Sequence, residues 1–286
     1  MTDRLEALLG HFPVRAAILH AGALCGIHEL PPRGTLGQLH LVRRGTVVVH
    51  HAAGKPITLT EPSLLLYPRP CAHRFVIDDR EGAELACADL GFDGAAEHPL
   101  VAALPAFVCL PLDQLGSARP LLDLLFEEAF DQRCGRGEVL ARLFELVLIQ
   151  VLRHQMEGQR GQAGLMSGLA HPRLRRAITA MHERPREDWT LEALAATAGM
   201  SRSSFAQTFR STVGSTPGEY LQRWRILLVQ KGLRSGKPLK LLVDDVGYAS
   251  ESALSRAFKA QVGVSPRQWR GRAVPQFAAA EPNLPY

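Results

Sequence analysis

The sequence predicts an α+β multidomain chain: a β-barrel-like N-terminal half with flanking helices, then an all-α domain with two helix-turn-helix units joined by a linker helix. Three observations carry this. Leu191–Arg210 and Leu241–Lys259 share one pattern in phase: an apolar helix, a glycine, an aliphatic or aromatic residue, a serine, then a helix closing on Phe-Arg or Phe-Lys. From residue 15 to 90 the chain breaks into short apolar runs cut by Gly and Pro, many of them β-branched or alternating. From 118 to 157 apolar residues recur at helical spacing.

The residue types of the repeated unit suit two crossing helices. Leu191, Leu194 and Ala195 give the first helix an apolar face, and Ala195 and Ala198 are small enough for close crossing. Gly199 can end that helix at positive φ, and Ser201 can accept from a free backbone N–H to start the next. Phe205 and Phe209, at i and i+4, anchor the second helix. Gly247, Ser250, Leu254 and Phe258 hold the same places in the second unit. Positions 203, 206, 207 and 210 then face outward, as do Glu251, Ser252, Ser255 and Arg256. Between the units Pro217–Leu233 reads as a helix about 25 Å long. Such a connector can hold two recognition helices roughly one DNA turn apart, about 34 Å.

From His171 to Arg272 the chain resembles the DNA-binding domain of the AraC/XylS family of bacterial transcription regulators. The residues that carry the resemblance are Gly247-Tyr-Ala-Ser250, Phe258-Lys259, Gly263-Val-Ser-Pro266-Arg-Gln-Trp-Arg270 and the turn-then-helix Gly214-Ser-Thr-Pro217-Gly-Glu-Tyr220. The family's pattern has a small residue where this chain has Val243, so the second helix crossing is expected to differ. The resemblance implies base contacts from Ser203 and Gln207 in the first unit and from Glu251, Ser252, Ser255 and Arg256 in the second. Gln suits adenine and Arg suits guanine in the major groove. Because Ser203 and Ala206 are short, Arg202, Gln207 and DNA shape are expected to set much of the first unit's preference. Arg210 and Lys259 read as phosphate contacts.

Charge divides the chain in the same way. Residues 171–286 hold 18 Lys+Arg against 9 Asp+Glu, a net of +9, while residues 1–170 hold 15 against 19, a net of −4. A basic C-terminal half is the footprint of phosphate binding. The N-terminus lacks the basic start and apolar core of a secretory signal, and no apolar run is long enough to span a membrane. Five scattered cysteines without metal-type spacing fit a reducing cytoplasm. No nucleophile elbow, Walker loop or dinucleotide motif is present, so no enzyme activity is expected.

In the N-terminal half, Gly37–Val42, Gly45–His50, Pro56–Thr60, Ser63–Tyr67 and His73–Ile77 read as strands of a closed or double-sheet structure. The order His40-Leu-Val-x-x-Gly45, Ile57-Thr-Leu, Leu66-Tyr-Pro68 and His73-Arg-Phe resembles the cupin-type sensor that precedes many AraC-type DNA-binding domains. The family's Pro-Gly-Asp turn is replaced here by Glu61-Pro62-Ser63. Leu121, Leu122, Leu125, Phe126 and Ala129 form one helical face, and Leu140, Leu143, Phe144, Val147, Leu148, Val151 and Leu152 another. Helices so placed in the family cover the barrel or pair subunits. The expected division is a sensor over 1–115, flanking or dimerisation helices over 116–157, a linker over 158–170, the DNA-binding domain over 171–272 and a disordered tail over 273–286.

Within the family the chain resembles regulators that sense reactive chlorine species or other electrophiles through cysteines. That resemblance implies Cys25, in the segment before the first strands, and Cys87, late in the barrel, with the loop thiol Cys71 as third candidate. A switch thiol must be accessible, and a disulfide needs Cα atoms within about 7 Å. The plain alternative is five inert, apolar cysteines. Metal binding is the rival: His40 and His73 can form a two-ligand site, but the chain lacks the cupin His-x-His element, and His50-His51 in a strand point to opposite faces. A small molecule inside the barrel is a further option.

The function expected from these residues is a cytoplasmic, sequence-specific transcription regulator acting as an activator. Its partners are double-stranded promoter DNA, RNA polymerase and a second copy of itself, with no cofactor. A cupin metalloenzyme with an accessory helix-turn-helix domain is the alternative of another class.

Overall fold

A computed structural model describes residues 3–51, 54–131, 133–158 and 163–270. They divide into two compact units. Val14–His154 form one; the residues up to Pro13, together with those from Gln155 onward, form the other.

The first unit is built on nine strands: β1 (Val14–Leu24), β2 (Gly26–Leu30), β3 (Gly37–Arg44), β4 (Val47–His51), β5 (Ile57–Leu59), β6 (Ser63–Tyr67), β7 (His73–Ile77), β8 (Ala83–Phe92) and β9 (Val108–Pro111). They make two antiparallel sheets, ordered β1-β8-β3-β6-β9 and β2-β7-β4-β5. Both contribute to one apolar core, with Val42, Leu65, Tyr67 and Leu85 from the first and Leu30, Val47, Val49 and Phe75 from the second. The strands expected at 37–42, 45–50, 56–60, 63–67 and 73–77 are β3 to β7 with small shifts at their ends. β1 and β2 correct one expectation. Cys25 does not precede the first strands; it is the single residue between β1 and β2.

Gly45 is required where it stands. Its φ is +94°, and a Cβ there would fall within 2.7 Å of Gly82 and Ala83 atoms. Helices α2 (Pro99–Ala103), α3 (Arg119–Phe130) and α4 (Arg136–Gly158) follow the strands. Leu122, Leu125, Phe126 and Ala129 of α3 are buried, as are Leu140, Leu143, Phe144, Val147, Leu148, Val151 and Leu152 of α4. These are the two faces read from the periodicity, except that Leu121 is only half-buried. Leu124, Val139 and Leu146 stay exposed on the same helices.

The second unit is helical: α1 (Glu6–His11), α5 (Leu165–Ala170), α6 (Leu174–Glu183), α7 (Leu191–Ala198), α8 (Arg202–Val213), α9 (Pro217–Arg234), α10 (Leu239–Asp245), α11 (Glu251–Val262) and α12 (Pro266–Arg270). α5 lies inside the stretch expected as linker, and the tail over 273–286 falls outside the described residues. α9 is the connector. Its start is fixed by a capping box, in which the Thr216 hydroxyl accepts from the Glu219 amide while the Glu219 carboxylate accepts from the Thr216 amide, with Pro217 in the first turn. Its N-terminal half belongs to the first helix-turn-helix: Tyr220 meets Phe209 at 5.6 Å, and Trp224 stacks on His182 at 3.8 Å. Its C-terminal half, through Ile226, Val229 and Leu233, belongs to the core of the second, with Leu242, Val243, Leu254, Phe258 and Trp269. α1 adds Leu8 and Phe12 to this unit, Phe12 lying edge-on to Trp224 at 5.3 Å.

His182 is wholly buried and hydrogen-bonded to the Tyr220 hydroxyl at 2.7 Å; burial holds its imidazole pKa down at about 3. The unfolded chain takes up a proton near 6.5 that the folded chain refuses. The stability this neutral ring contributes is therefore complete above 6.5 and falls as pH drops toward 3, by about 1.4 kcal/mol per pH unit. Urea unfolding followed by Trp fluorescence between about pH 7 and pH 4 is expected to show a shallower pH slope in His182→Phe than in the wild type. Equal slopes would remove His182 as the source.

Candidate functional site

Both helix-turn-helix units are closed by the same backbone device. Gly199 sits at φ +64°, the Met200 amide donates to Ala195 O and the Gly199 amide to Ala196 O, each at 2.9 Å. This paired closure satisfies carbonyls the helix end would leave open. In the second unit Gly247 sits at φ +69°, and the Tyr248 amide donates to Val243 O at 3.1 Å. The recognition helices then start on serine caps. Ser201 Oγ accepts from the Ser204 amide at 3.3 Å and Ser250 Oγ from the Ala253 amide at 3.2 Å. Phe205 and Phe209 anchor α8, and Leu254 and Phe258 anchor α11; all four are fully buried. Val243, bulkier than the family's small residue, is absorbed into the second core. The close crossing is made instead at Gly232, where a Cβ would come within 2.3 Å of Leu242.

The anchors decide what faces solvent. On α8 Arg202, Ser203, Gln207 and Arg210 are exposed, and on α11 Glu251, Ser252, Arg256 and Lys259 are exposed with Ser255 half-buried. Two of these already have partners. Arg202 pairs with Glu192 at 3.0 Å, and Ser252 Oγ lies 2.9 Å from Ser250 Oγ. The Arg202–Glu192 pair is solvent-exposed on both sides, so separating it costs roughly 1 kcal/mol or less.

In the β unit, register places the sensor candidates. Cys87 on β8 lies opposite His40 on β3; His40 lies opposite Leu65 on β6, and Leu65 opposite Cys109 on β9. Opposed residues share a face, so Cys87, His40 and Cys109 line one rung turned to the core. Cys87 is 1% exposed, and burial, with the charge of Asp89, raises its thiol pKa. It meets neither the accessibility nor the thiolate character asked of a first oxidant target. Cys25 is exposed, and His28 donates its Nε2–H to the Cys25 carbonyl at 2.7 Å. Leu24 is paired with Ala83, four residues before Cys87. At about 3.3 Å per residue the level of Leu24 is already about 13 Å along the sheet from Cys87, and Cys25 lies one residue beyond it, out of reach of a disulfide without strand movement. Cys71 is half-buried in its loop, Cys109 is half-buried with its thiol raised by burial, and Cys134 is exposed.

His40 and His73 do come together, ring nitrogen to ring nitrogen, at 3.0 Å. Their tautomers follow from the neighbours. His73 Nδ1 lies 3.0 Å from Cys71 O, a carbonyl that only accepts, so Nδ1 carries hydrogen. Burial holds His73 neutral, with its pKa lowered to about 4. Its Nε2 therefore accepts from His40 Nε2–H, and His40 Nδ1 is left as a buried acceptor. Both Nε2 atoms are thus engaged in one hydrogen bond. Among the described residues no group of three or more His, Cys, Asp or Glu is arranged to hold a metal ion.

Sequence reading missed what surrounds this pair. Tyr67 stacks on His73 at 4.3 Å, and Phe107 packs on Tyr67 at 4.9 Å and on His51 at 4.6 Å. Three polar atoms in this cluster, His40 Nδ1, His51 Nδ1 and Tyr67 Oη, are buried with no hydrogen-bond partner among the described residues. Period two puts Tyr67 on the same face of β6 as Leu65, but β6 is apolar and buried throughout, and only the register of β3, β6 and β7 assembles the cluster. Asp89, buried and paired with Arg33 at 3.0 Å and Gln38 at 3.1 Å, was likewise not legible.

Comparison with known proteins agrees with both halves. The Cupin family matches residues 3–157 and the Helix-turn-helix domain family matches residues 194–272. A putative AraC-like transcription regulator of Streptomyces antibioticus is 33% identical over 96% of this chain and 99% of its own length. The RCS-specific HTH-type transcriptional activator RclR of Escherichia coli (strain K12) is 29% identical over 82% of this chain and 84% of its own. The HTH-type transcriptional regulator AlkR of Acinetobacter baylyi is 28% identical over 81% and 86%. With two capped helix-turn-helix units behind a two-sheet cupin unit, and relatives of this kind along almost its whole length, the chain belongs to the AraC-like transcription regulators.

Proposed function

We propose that this regulator binds double-stranded promoter DNA through α8 and α11 together, in successive major grooves, and activates transcription in response to a signal received by the β unit. The observation that carries the DNA reading is the repeated geometry: the same closing turn, the same serine cap and the same buried i, i+4 anchors behind two outward faces. Gln207 and Arg256 are the strongest readers on those faces, for adenine and guanine respectively. Ser203, Glu251, Ser252 and Ser255 supply the shorter contacts. Arg202 adds to the first unit's preference, and Arg210 and Lys259 meet phosphates, in keeping with the net +9 of residues 171–286. Activation is supported by the relative named as an activator and implies contact with RNA polymerase. The exposed Leu124, Val139 and Leu146 on α3 and α4 support pairing of two copies through those helices. No helix among the described residues is long and apolar enough to cross a membrane.

For the signal, the oxidant reading draws on the relative named RCS-specific and on the exposed thiol of Cys25. In this reading an oxidant converts the Cys25 thiol to a sulfenic acid, reducing the oxidant by two electrons. The thiol of Cys71 or Cys87 then displaces the sulfenic oxygen as water to form a disulfide, which for Cys87 requires the strands to move. A second reading is favoured by the buried unpartnered His40 Nδ1 and Tyr67 Oη, one an acceptor and the other a donor: a small polar molecule bound inside the barrel. Either signal acts only by the difference in its affinity for, or chemistry with, two arrangements of the regulator.

Two outcomes are expected. In a binding-site selection, Arg256→Ala should cost about 1–3 kcal/mol and relax preference at one base pair; unchanged preference there removes Arg256 from base reading. In a promoter-output assay after stoichiometric hypochlorous acid, Cys25→Ser should be blind while the wild type responds. A Cys25→Ser protein that responds fully would rule out that thiol and leave the barrel ligand as the signal to pursue.

A further inference from the structure

We propose that Arg225 is a positioning residue for two-site DNA recognition, clasping the Pro185–Glu187 loop that leads from α6 into the first helix-turn-helix to Tyr248 in the turn of the second. The clasp fixes the separation and angle of α8 and α11, and its functional meaning rests on the tandem reading proposed above.

Arg225 occupies the changeover point of α9. Trp224, one residue before, packs into the first core, and Ile226, one residue after, into the second. From that point its guanidinium reaches both units. Nε donates to Pro185 O and Nη2 to Glu187 O, each at 2.7 Å, while Cζ sits 5.9 Å from the centre of the Tyr248 ring. The loop it grips is braced. Trp189 Nε1 donates to Arg184 O at 3.1 Å, and the Arg184 guanidinium covers the Trp189 ring at 4.8 Å. Beside the clasp the two units touch backbone to backbone: a Cβ on Gly247 would come within 2.3 Å of Arg186 O.

The chemistry of the clasp is specific to arginine. Two carbonyls two residues apart and one ring face are met by a planar fork with several donors. A lysine keeps the charge but brings a single ammonium on a flexible stem, which cannot span the same three partners. Loss of the clasp leaves Ile226, Val229, Leu242, Leu254 and Phe258 packed, so the second unit keeps its fold. What changes is its freedom to turn against the first.

The test compares full-length wild type with Arg225→Lys and Arg225→Gln. Spin labels placed as non-canonical amino acids at 203 and 252 report the distance between α8 and α11 without DNA. The wild type should give one narrow distribution and both variants a broadened one, with circular dichroism unchanged. On a bipartite site selected by the wild type, Arg225→Lys should bind about tenfold more weakly. It should also lose less affinity than the wild type when the half-sites are moved apart base pair by base pair, with single half-site affinity unchanged. Unaltered label distances, or the wild-type dependence on half-site spacing, would overturn the proposal. A wild type that selects only a single half-site would overturn the tandem reading, and the positioning role with it. A bipartite selection puts the clasp alone on trial.

Discussion

The helical unit depends on α9 being buried by two different cores at once. Tyr220 and Trp224 are held by His182 and Phe209 at one end; Ile226, Val229 and Leu233 are held by Leu242, Leu254 and Phe258 at the other. A helix shared this way cannot bend or slide without opening one core, and each buried aromatic or aliphatic side chain lost there costs several kcal/mol, roughly 2–5. Its start is fixed by the capping box and Pro217. Where it faces α10, Gly232 leaves the space that the Leu242 side chain fills. The repeated turns at Gly199 and Gly247 then carry the rigidity of α9 to the recognition helices, whose serine caps set where each exposed face begins.

The β unit solves a different problem, that of burying imidazoles and a carboxylate in an apolar core. It keeps His40 and His73 neutral and hydrogen-bonded to one another, and it holds Asp89 against Arg33 and Gln38. Burial raises the Asp89 pKa, which the Gln38 and Arg33 contacts oppose. Such polar groups are costly unless satisfied, and His40 Nδ1 and Tyr67 Oη find no partner among the described residues. The chemistry able to receive a signal is thus divided between the exposed thiol of Cys25, at the joint of β1 and β2, and a donor and acceptor at the centre without partners among the described residues.

The helix-turn-helix pair was almost wholly legible because its geometry is local. Glycine at positive φ, serine at the cap and aromatic anchors at i, i+4 are all set within twenty or so positions, and each lies where the pattern puts it. The β unit was legible as strands but not as a site. β1, β2, β8 and β9 carry weak signals: β1 is mostly half-buried with a bulge near Ile18, so clean alternation is lost. The distance between Cys25 and Cys87, and the meeting of His40 with His73, depend on register between strands far apart in sequence, which no local pattern encodes. The same holds for Arg225. Its position in an amphipathic helix is plain, but its partners at Pro185, Glu187 and Tyr248 exist only once both cores have formed. Nothing in residues 3–13 marked α1 for the helical unit either; its contacts there, His11 and Phe12 edge-on to Trp224 among them, reveal it.

Tandem recognition by one rigid helical unit is tested most directly by hydroxyl-radical footprinting of the wild-type protein on a DNA fragment it has selected. Two helices held in successive major grooves must protect two patches on one face of the duplex, about 34 Å or one helical turn apart. One protected patch, or two whose spacing varies from site to site, would contradict the fixed two-helix arrangement.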